Sequence, residues 1–266
     1  MENATNIANK SLHKYPQLKN FIEILTRNSV IQTKKVGREF DYPAGIIKNK
    51  LFRNYGIFMD YFIRKVLSNQ YQIPLTDDVT ELVLKEPDTY VKDGSKDCCY
   101  LSKAISNHYE IFKDPKNQAM DILKSIKLVS LTYTLSFHDP LPKAEVECDN
   151  ESLQEIKKYF KNLPYSHVEM KSSINCKYFE GNADLIFDQE VLYEIKTSKY
   201  SSLSRNDKNI HVKNFYKLIL YGFGYYKKTG KLIKCFKIYN PLLGHEHTLK
   251  FDDIDMKHFE QCLSKK

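Results

Sequence analysis

Between Gly181 and Ser198 the chain reads Gly-Asn-Ala-Asp-Leu-Ile-Phe-Asp-Gln-Glu-Val-Leu-Tyr-Glu-Ile-Lys-Thr-Ser. Two short apolar runs, 183–187 and 191–195, flank the polar triplet Asp188-Gln189-Glu190. Each run has the length and the β-branched and aromatic content of a buried strand, and the connector is of hairpin size. In an antiparallel hairpin that sets Phe187 opposite Val191, Asp184 falls opposite Glu194. Directly opposed residues have Cβ atoms roughly 5 Å apart, within reach of one shared cation. Side chains two apart on a strand share a face, so Lys196 joins the two acids. Burying two carboxylates and an ammonium on an apolar hairpin costs too much to serve packing alone. A metal ion accounts for them; an ion-pair ladder on an exposed sheet face is the alternative.

The positive charge of the chain lies next to this hairpin. From Lys196 to Lys237 there are eleven basic residues and one acid, Asp207. That surplus exceeds the net +8 of the whole chain, so the remainder is slightly acidic. A basic segment following directly on an acidic pair favours a polyanionic partner, although charge runs commonly end up as solvated faces. At 266 residues the chain can bury a real core. No apolar run approaches the roughly 20 residues of a membrane span, and the first residues lack the pattern of a secretory signal. An intracellular protein is the default expectation. The six cysteines form no C-x-x-C pair, which argues against zinc or iron–sulfur ligation.

Taken in order, the pattern predicts a short helix near 18–27 and a long amphipathic helix over 44–68. Loop with some extended structure follows over 69–95, then helices over 97–112, 114–137 and 150–163. Ser152 and Glu155 stand at capping-box spacing in the last of these. The period then changes from helical to extended, with strands expected at 166–172, 177–179 with 183–187, and 191–197. A helix over 208–228, strands at 232–239 and 247–251, and a closing helix over 254–263 complete the reading. The fold class is α+β: a mainly helical region over 1–148, packed on or inserted in a core over 149–266 with the order αβββαβ.

These residues resemble a known family. Asp184 followed by Glu194-Ile195-Lys196 is similar to the active-site signature of the PD-(D/E)xK nuclease superfamily. Gly181-x-x-Asp184, the run from Leu192 to Ser198, Lys217-Leu218-x-Leu220-Tyr221 and Asn240-Pro241-x-x-Gly244 resemble its RecB-like and lambda-exonuclease-like branch. The likeness covers about 166–251. It implies a restriction-endonuclease-like core, a small mixed sheet flanked by helices, and a metal-dependent nuclease that hydrolyses DNA phosphodiester bonds. Two residues depart from the branch. Lys217 stands where Gln is usual, and Gly56-Ile57-Phe58-Met59-Asp60 offers Asp60 where an early helix usually carries His.

The resemblance implies Asp184, Glu194 and Lys196 as catalytic residues. Mg²⁺ (or Mn²⁺) would be held by Asp184, Glu194 and the Ile195 backbone carbonyl, with Asp60 either a further ligand or an ordinary helix aspartate. Ser198, Lys199 and Arg205, in a loop that also holds Ser201 and Ser202, would contact phosphates, or form a solvated loop. Lys217 and Tyr221, four apart on one helix, would face the nucleic acid, Tyr221 by stacking unless it is core. Gly181 and Glu169 would support the site, Glu169 by orienting a ligand or Lys196. A catalytically inactive DNA-binding module of the same fold, or a nuclease acting on RNA or structured junctions, would carry the same motifs.

Overall fold

Asp188 and Gln189 have left-handed backbones, with φ of 48° and 62°, and Glu190 N–H donates to the Phe187 carbonyl at 3.0 Å. Two successive positive φ angles make a type I′ turn, whose twist matches that of paired strands. The Asp188 carboxylate accepts from the backbone N–H groups of Ser166 and His167, which fixes the turn further. The computed structural model describes residues 2–8, 12–27, 29–86, 89, 96–136, 144–197, 208–251 and 254–264. It divides into two units, Met1–Glu39 with Pro164–Lys266, and Phe40–Leu163.

The first unit holds all the described strands: β1 (Glu2–Asn3), β2 (Gln32–Lys35), β3 (Val168–Asn175), β4 (Phe179–Phe187), β5 (Val191–Ile195), β6 (Cys235–Asn240) and β7 (His245–Lys250). They form one open, mixed sheet in the order β1-β4-β5-β6-β7-β2, with β3 on β4. β3, β4 and β5 make an antiparallel meander, β6 runs parallel to β5, and β7 returns antiparallel. The β4–β5 register sets Phe187 opposite Val191 and Leu185 opposite Tyr193, as the hairpin argument requires. β3 occupies one edge of β4 along its length, so β1, which pairs with Phe179 and Glu180, must lie on the other edge, in line with β5. Residues 181–184 fall between the ends of β1 and β5.

Helix α1 (Ala4–Asn6), α2 (Pro16–Arg27), and, near the C-terminus, a long helix Lys208–Thr229 and a last one Met256–Ser264 complete the unit. The long helix lies against one sheet face at glycine-limited distance: a Cβ on Gly224 would sit 2.2 Å from Ile174 Cγ2. Leu18, Ile22, Phe223 and Phe259 extend the core above it. The Asn240-Pro241-x-x-Gly244 turn joins β6 to β7. Asn240 Oδ1 accepts from the N–H groups of Leu242 and Leu243, and Gly244 has φ of 60° with its Cα side against Gly37.

The second unit is helical: α3 (Ala44–Asn49), α4 (Phe52–Tyr71), α5 (Asp78–Lys85), α6 (Lys96–Lys113), α7 (Leu123–Ser136) and α8 (Asn150–Lys161). We number the two later helices of the first unit α9 (Lys208–Thr229) and α10 (Met256–Ser264). α4 is the central element. Its buried Arg64 pairs with Asp77 at 3.1 Å, and Asp77 also accepts from Tyr61 and Thr80.

Several expectations change. The 44–68 helix is two helices, because Lys50 takes a left-handed cap with φ of 55°. A helix, α5, interrupts the expected loop of 69–95: Asp77 caps it through Thr80 N–H, and Asp78 and Glu81 suit its first turn. Residues 114–122 are turns, so α7 starts later than Pro115 suggested. Asp149, not Ser152, caps α8. Residues 1–39 belong with the sheet and α8 with the helical unit, so the boundary at 148/149 is replaced by a helical unit inserted between two parts of the sheet unit.

Candidate functional site

Asp184 and Glu194 stand one step beyond the last Leu185–Tyr193 pair of the hairpin. Asp184 Oδ1 lies 3.0 Å from Lys171 Nζ, and Oδ2 accepts from the Ile195 N–H at 3.2 Å. Glu194 is 3% exposed. Its Oε1 lies 2.6 Å from Lys196 Nζ, and both of its oxygens lie 2.7 Å from Lys217 Nζ. Oε2, close as it is to that ammonium, makes no aligned hydrogen bond. Lys217 comes from α9 and reaches Glu194 from that side of the sheet, and it acts electrostatically on Asp184 as well.

The strands are irregular at this level. Gly181 and Ile174 face α9, and so do Ile186 and Glu169, which strict alternation would put on the opposite face. The alternation therefore slips once in each strand. In β3 the slip coincides with Lys171, whose φ of 51° is left-handed, and the ladder records no Lys171–Asp184 pair between its neighbours. Left-handed backbone in a residue with a long side chain is strained, and such strain gathers where a side chain must be aimed. Here the side chain so aimed meets Asp184.

Charge balance explains the ionisation states. Burial by itself would raise the Asp184 pKa, but Lys171, Lys217 and the Ile195 N–H together hold it well below the usual carboxylate range. Burial would likewise lower the Lys217 pKa, and Glu194 and then Asp184 outweigh it, raising it above the ordinary lysine value. The site is a cluster of two carboxylates and three ammonium groups.

Of the residues singled out from sequence, Asp184, Glu194, Ile195, Lys196 and Lys217 are brought together. Gly181 supports the cluster sterically: a Cβ there would sit 2.6 Å from Tyr221 Cε1. Tyr221 is 3% exposed, its ring 5.2 Å from Lys217 Nζ and its hydroxyl 3.3 Å from Thr5 Oγ1. It is thus a packing residue under Lys217, which corrects the stacking role. Glu169 accepts from the hydroxyls of Tyr225 and Ser172, so those two groups, not Lys196, are what it binds. Asp60 belongs to the helical unit, where its carboxylate lies 3.3 Å from Arg64 Nε. Ser198, Lys199, Ser201, Ser202 and Arg205 lie outside the described residues. Sequence reasoning missed Lys171; the signal was its place in a strand whose partner carries Asp184.

A divalent ion can be tested against these donors. Among the described residues no group of three or more His, Cys, Asp or Glu is placed to hold a metal. Asp184 and Glu194 are two carboxylates, the number of protein ligands Mg²⁺ commonly takes before completing its shell with water and substrate phosphate. The unaligned Oε2 of buried Glu194 is an oxygen such an ion could use. The donors fit Mg²⁺ or Mn²⁺. Cys148, Cys176, Cys235 and Cys262 are free thiols, and no described helix is long and apolar enough to cross a membrane.

Fold and site define an α+β protein with an acid–acid–lysine cluster at the open end of the β4–β5 hairpin. Comparison with protein-family models, with curated proteins and with solved structures finds no match to the chain.

Proposed function

We propose that the chain is a metal-dependent nuclease that hydrolyses DNA phosphodiester bonds, with a restriction-endonuclease-like core of PD-(D/E)xK type. The observation that carries this reading is the convergence of Asp184, Glu194 and Lys196 at one end of the β4–β5 hairpin. The strand and helix order from β3 to β6 around it supports the same reading.

Asp184 and Glu194 would hold the ion, with the Ile195 carbonyl, one peptide beyond the N–H that Asp184 accepts, as a third oxygen. Bound there, Mg²⁺ or Mn²⁺ would acidify a water and offset negative charge on the phosphate. Lys196, 40% exposed along its side chain, reaches both Glu194 and solvent. Its ammonium can orient the attacking water or stabilise charge developing on the phosphate oxygens. Lys217 is more enclosed and fixes the Glu194 carboxylate. The Ile195 N–H fixes Asp184, so both acids are oriented before substrate arrives.

The test is hydrolysis of end-labelled DNA with Mg²⁺ or EDTA. The reading expects cleavage in Mg²⁺ that EDTA stops, and a loss of roughly 100-fold or more in Lys196→Ala, the scale of removing one such stabilising group. Cleavage intact in Lys196→Ala and Asp184→Ala would refute the site.

A further inference from the structure

Lys171 and Lys217 offer no oxygen to a divalent ion, yet they make the closest approaches to its two proposed carboxylates alongside Lys196. Lys217 lies 2.7 Å from both oxygens of Glu194, and Lys171 lies 3.0 Å from Asp184 Oδ1. With Lys196, the ammonium groups outnumber the carboxylates three to two, so the cluster already carries a surplus positive charge. A divalent ion entering alone would bring two more charges into a largely buried site and crowd both lysines. A phosphodiester entering with it supplies negative charge and gives the displaced ammonium groups oxygen acceptors of their own. The lysines differ in how readily they can turn away. Lys171 is 35% exposed along its side chain and Lys217 is 17% exposed.

We propose that Lys171 and Lys217 are built-in counter-ions, occupying the carboxylates in the DNA-free protein so that a divalent cation and a phosphodiester bind together. This rests on the nuclease reading above and adds its order of assembly. Lys171 thereby becomes a phosphate-contacting residue of the site, released from Asp184 as the ion enters. By linkage, whatever factor the oligonucleotide adds to cation affinity, the cation adds to oligonucleotide affinity.

The experiment measures Mn²⁺ binding to the DNA-free protein by electron paramagnetic resonance of the free ion. Wild type is compared with Lys171→Gln and Lys217→Gln, and circular dichroism checks that each variant is folded. Each variant should bind Mn²⁺ roughly tenfold more tightly than wild type, since one positive charge is removed from beside the ligand oxygens. In a second arm, fluorescence anisotropy follows a labelled oligothymidylate with Ca²⁺ or with EDTA. Wild type should bind it roughly tenfold more tightly with Ca²⁺, and Lys217→Gln should show a smaller ratio. Wild type binding DNA-free Mn²⁺ as tightly as a folded variant overturns the proposal, as does an oligonucleotide affinity indifferent to Ca²⁺. Either result beside intact Mg²⁺-dependent cleavage leaves the nuclease reading standing. Absence of cleavage together with absence of Mn²⁺ binding in every form removes both.

Discussion

Asp184 keeps its charge in a buried place because three donors surround it, and that makes it a source of pH-dependent stability. Its pKa is lower folded than unfolded, so its contribution is complete above about 4 and is lost as pH falls below that value. Urea denaturation of wild type and Asp184→Asn should therefore show a stability gap at neutral pH that shrinks on acidification. A gap that stays constant to pH 2 would contradict the charge balance described. Lys65 gives the opposite case in the helical unit. Its ammonium is buried and donates to the Phe112 and Asp114 carbonyls, and burial pushes its pKa down to about 8, with Asp114 opposing in part. Between that value and about 10.4 the unfolded chain binds a proton that the folded chain lacks. Stability carried by Lys65 therefore rises with pH across this window. Lys65→Met should flatten that rise in denaturation curves taken from pH 7.5 to 10; an unchanged slope would count against it.

At the scale of elements, α9 sets the site by how closely it approaches the sheet. Gly181 admits the Tyr221 ring, Tyr221 underlies Lys217, and Lys217 grips Glu194. Gly181→Ala should cost about 1–3 kcal/mol through overpacking. It should also lower the rate of cleavage by more than the unfolded fraction explains, which thermal melts paired with assays would show. The hairpin and α9 were legible in the sequence because their information is local: alternation, a turn of polar residues, a helical stripe. The Leu185–Tyr193 register, which sets Asp184 and Glu194 one step beyond the last ladder pair, followed from the same local pattern. What escaped depends on distant partners or on one residue. β1 is two residues long and is defined by its pairing with β4. The slip at Lys171 is a backbone angle that residue identity does not announce. α5 was hidden by the surrounding turn residues, although Asp77 with Thr80 is a regular cap. Asp77 serves two structures at once, the α5 cap and the Arg64 pair, so Asp77→Ala should cost about 2–4 kcal/mol by removing that cap and a charged hydrogen bond, with Asp60 still beside the Arg64 guanidinium. A chemical denaturation midpoint unchanged in that variant would contradict it.

On the scale of the whole molecule, the sequence splits its charge unevenly and the fold splits its architecture. The basic segment after Lys196 runs from the site through α9 into β6, in the unit that carries the acid–acid–lysine cluster. Nucleic-acid affinity should accordingly fall steeply with salt. Six phosphate contacts would cost roughly 1,000-fold between 50 and 200 mM, and anisotropy titrations at several salt concentrations would measure the slope. A nearly flat slope would detach the basic segment from binding. The limits of the helical unit are not written in local pattern, because only tertiary contacts show that the first 39 residues group with the sheet. The claim on which the functional account turns is that Asp184, Glu194 and Lys196 together cleave phosphodiesters with a divalent ion. The most direct measurement is single-turnover hydrolysis of labelled DNA by wild type and Asp184→Ala, each with Mg²⁺ and with EDTA. The account predicts cleavage by wild type in Mg²⁺ alone. DNA that is bound but left whole by wild type in Mg²⁺, or cut equally by Asp184→Ala, would contradict it.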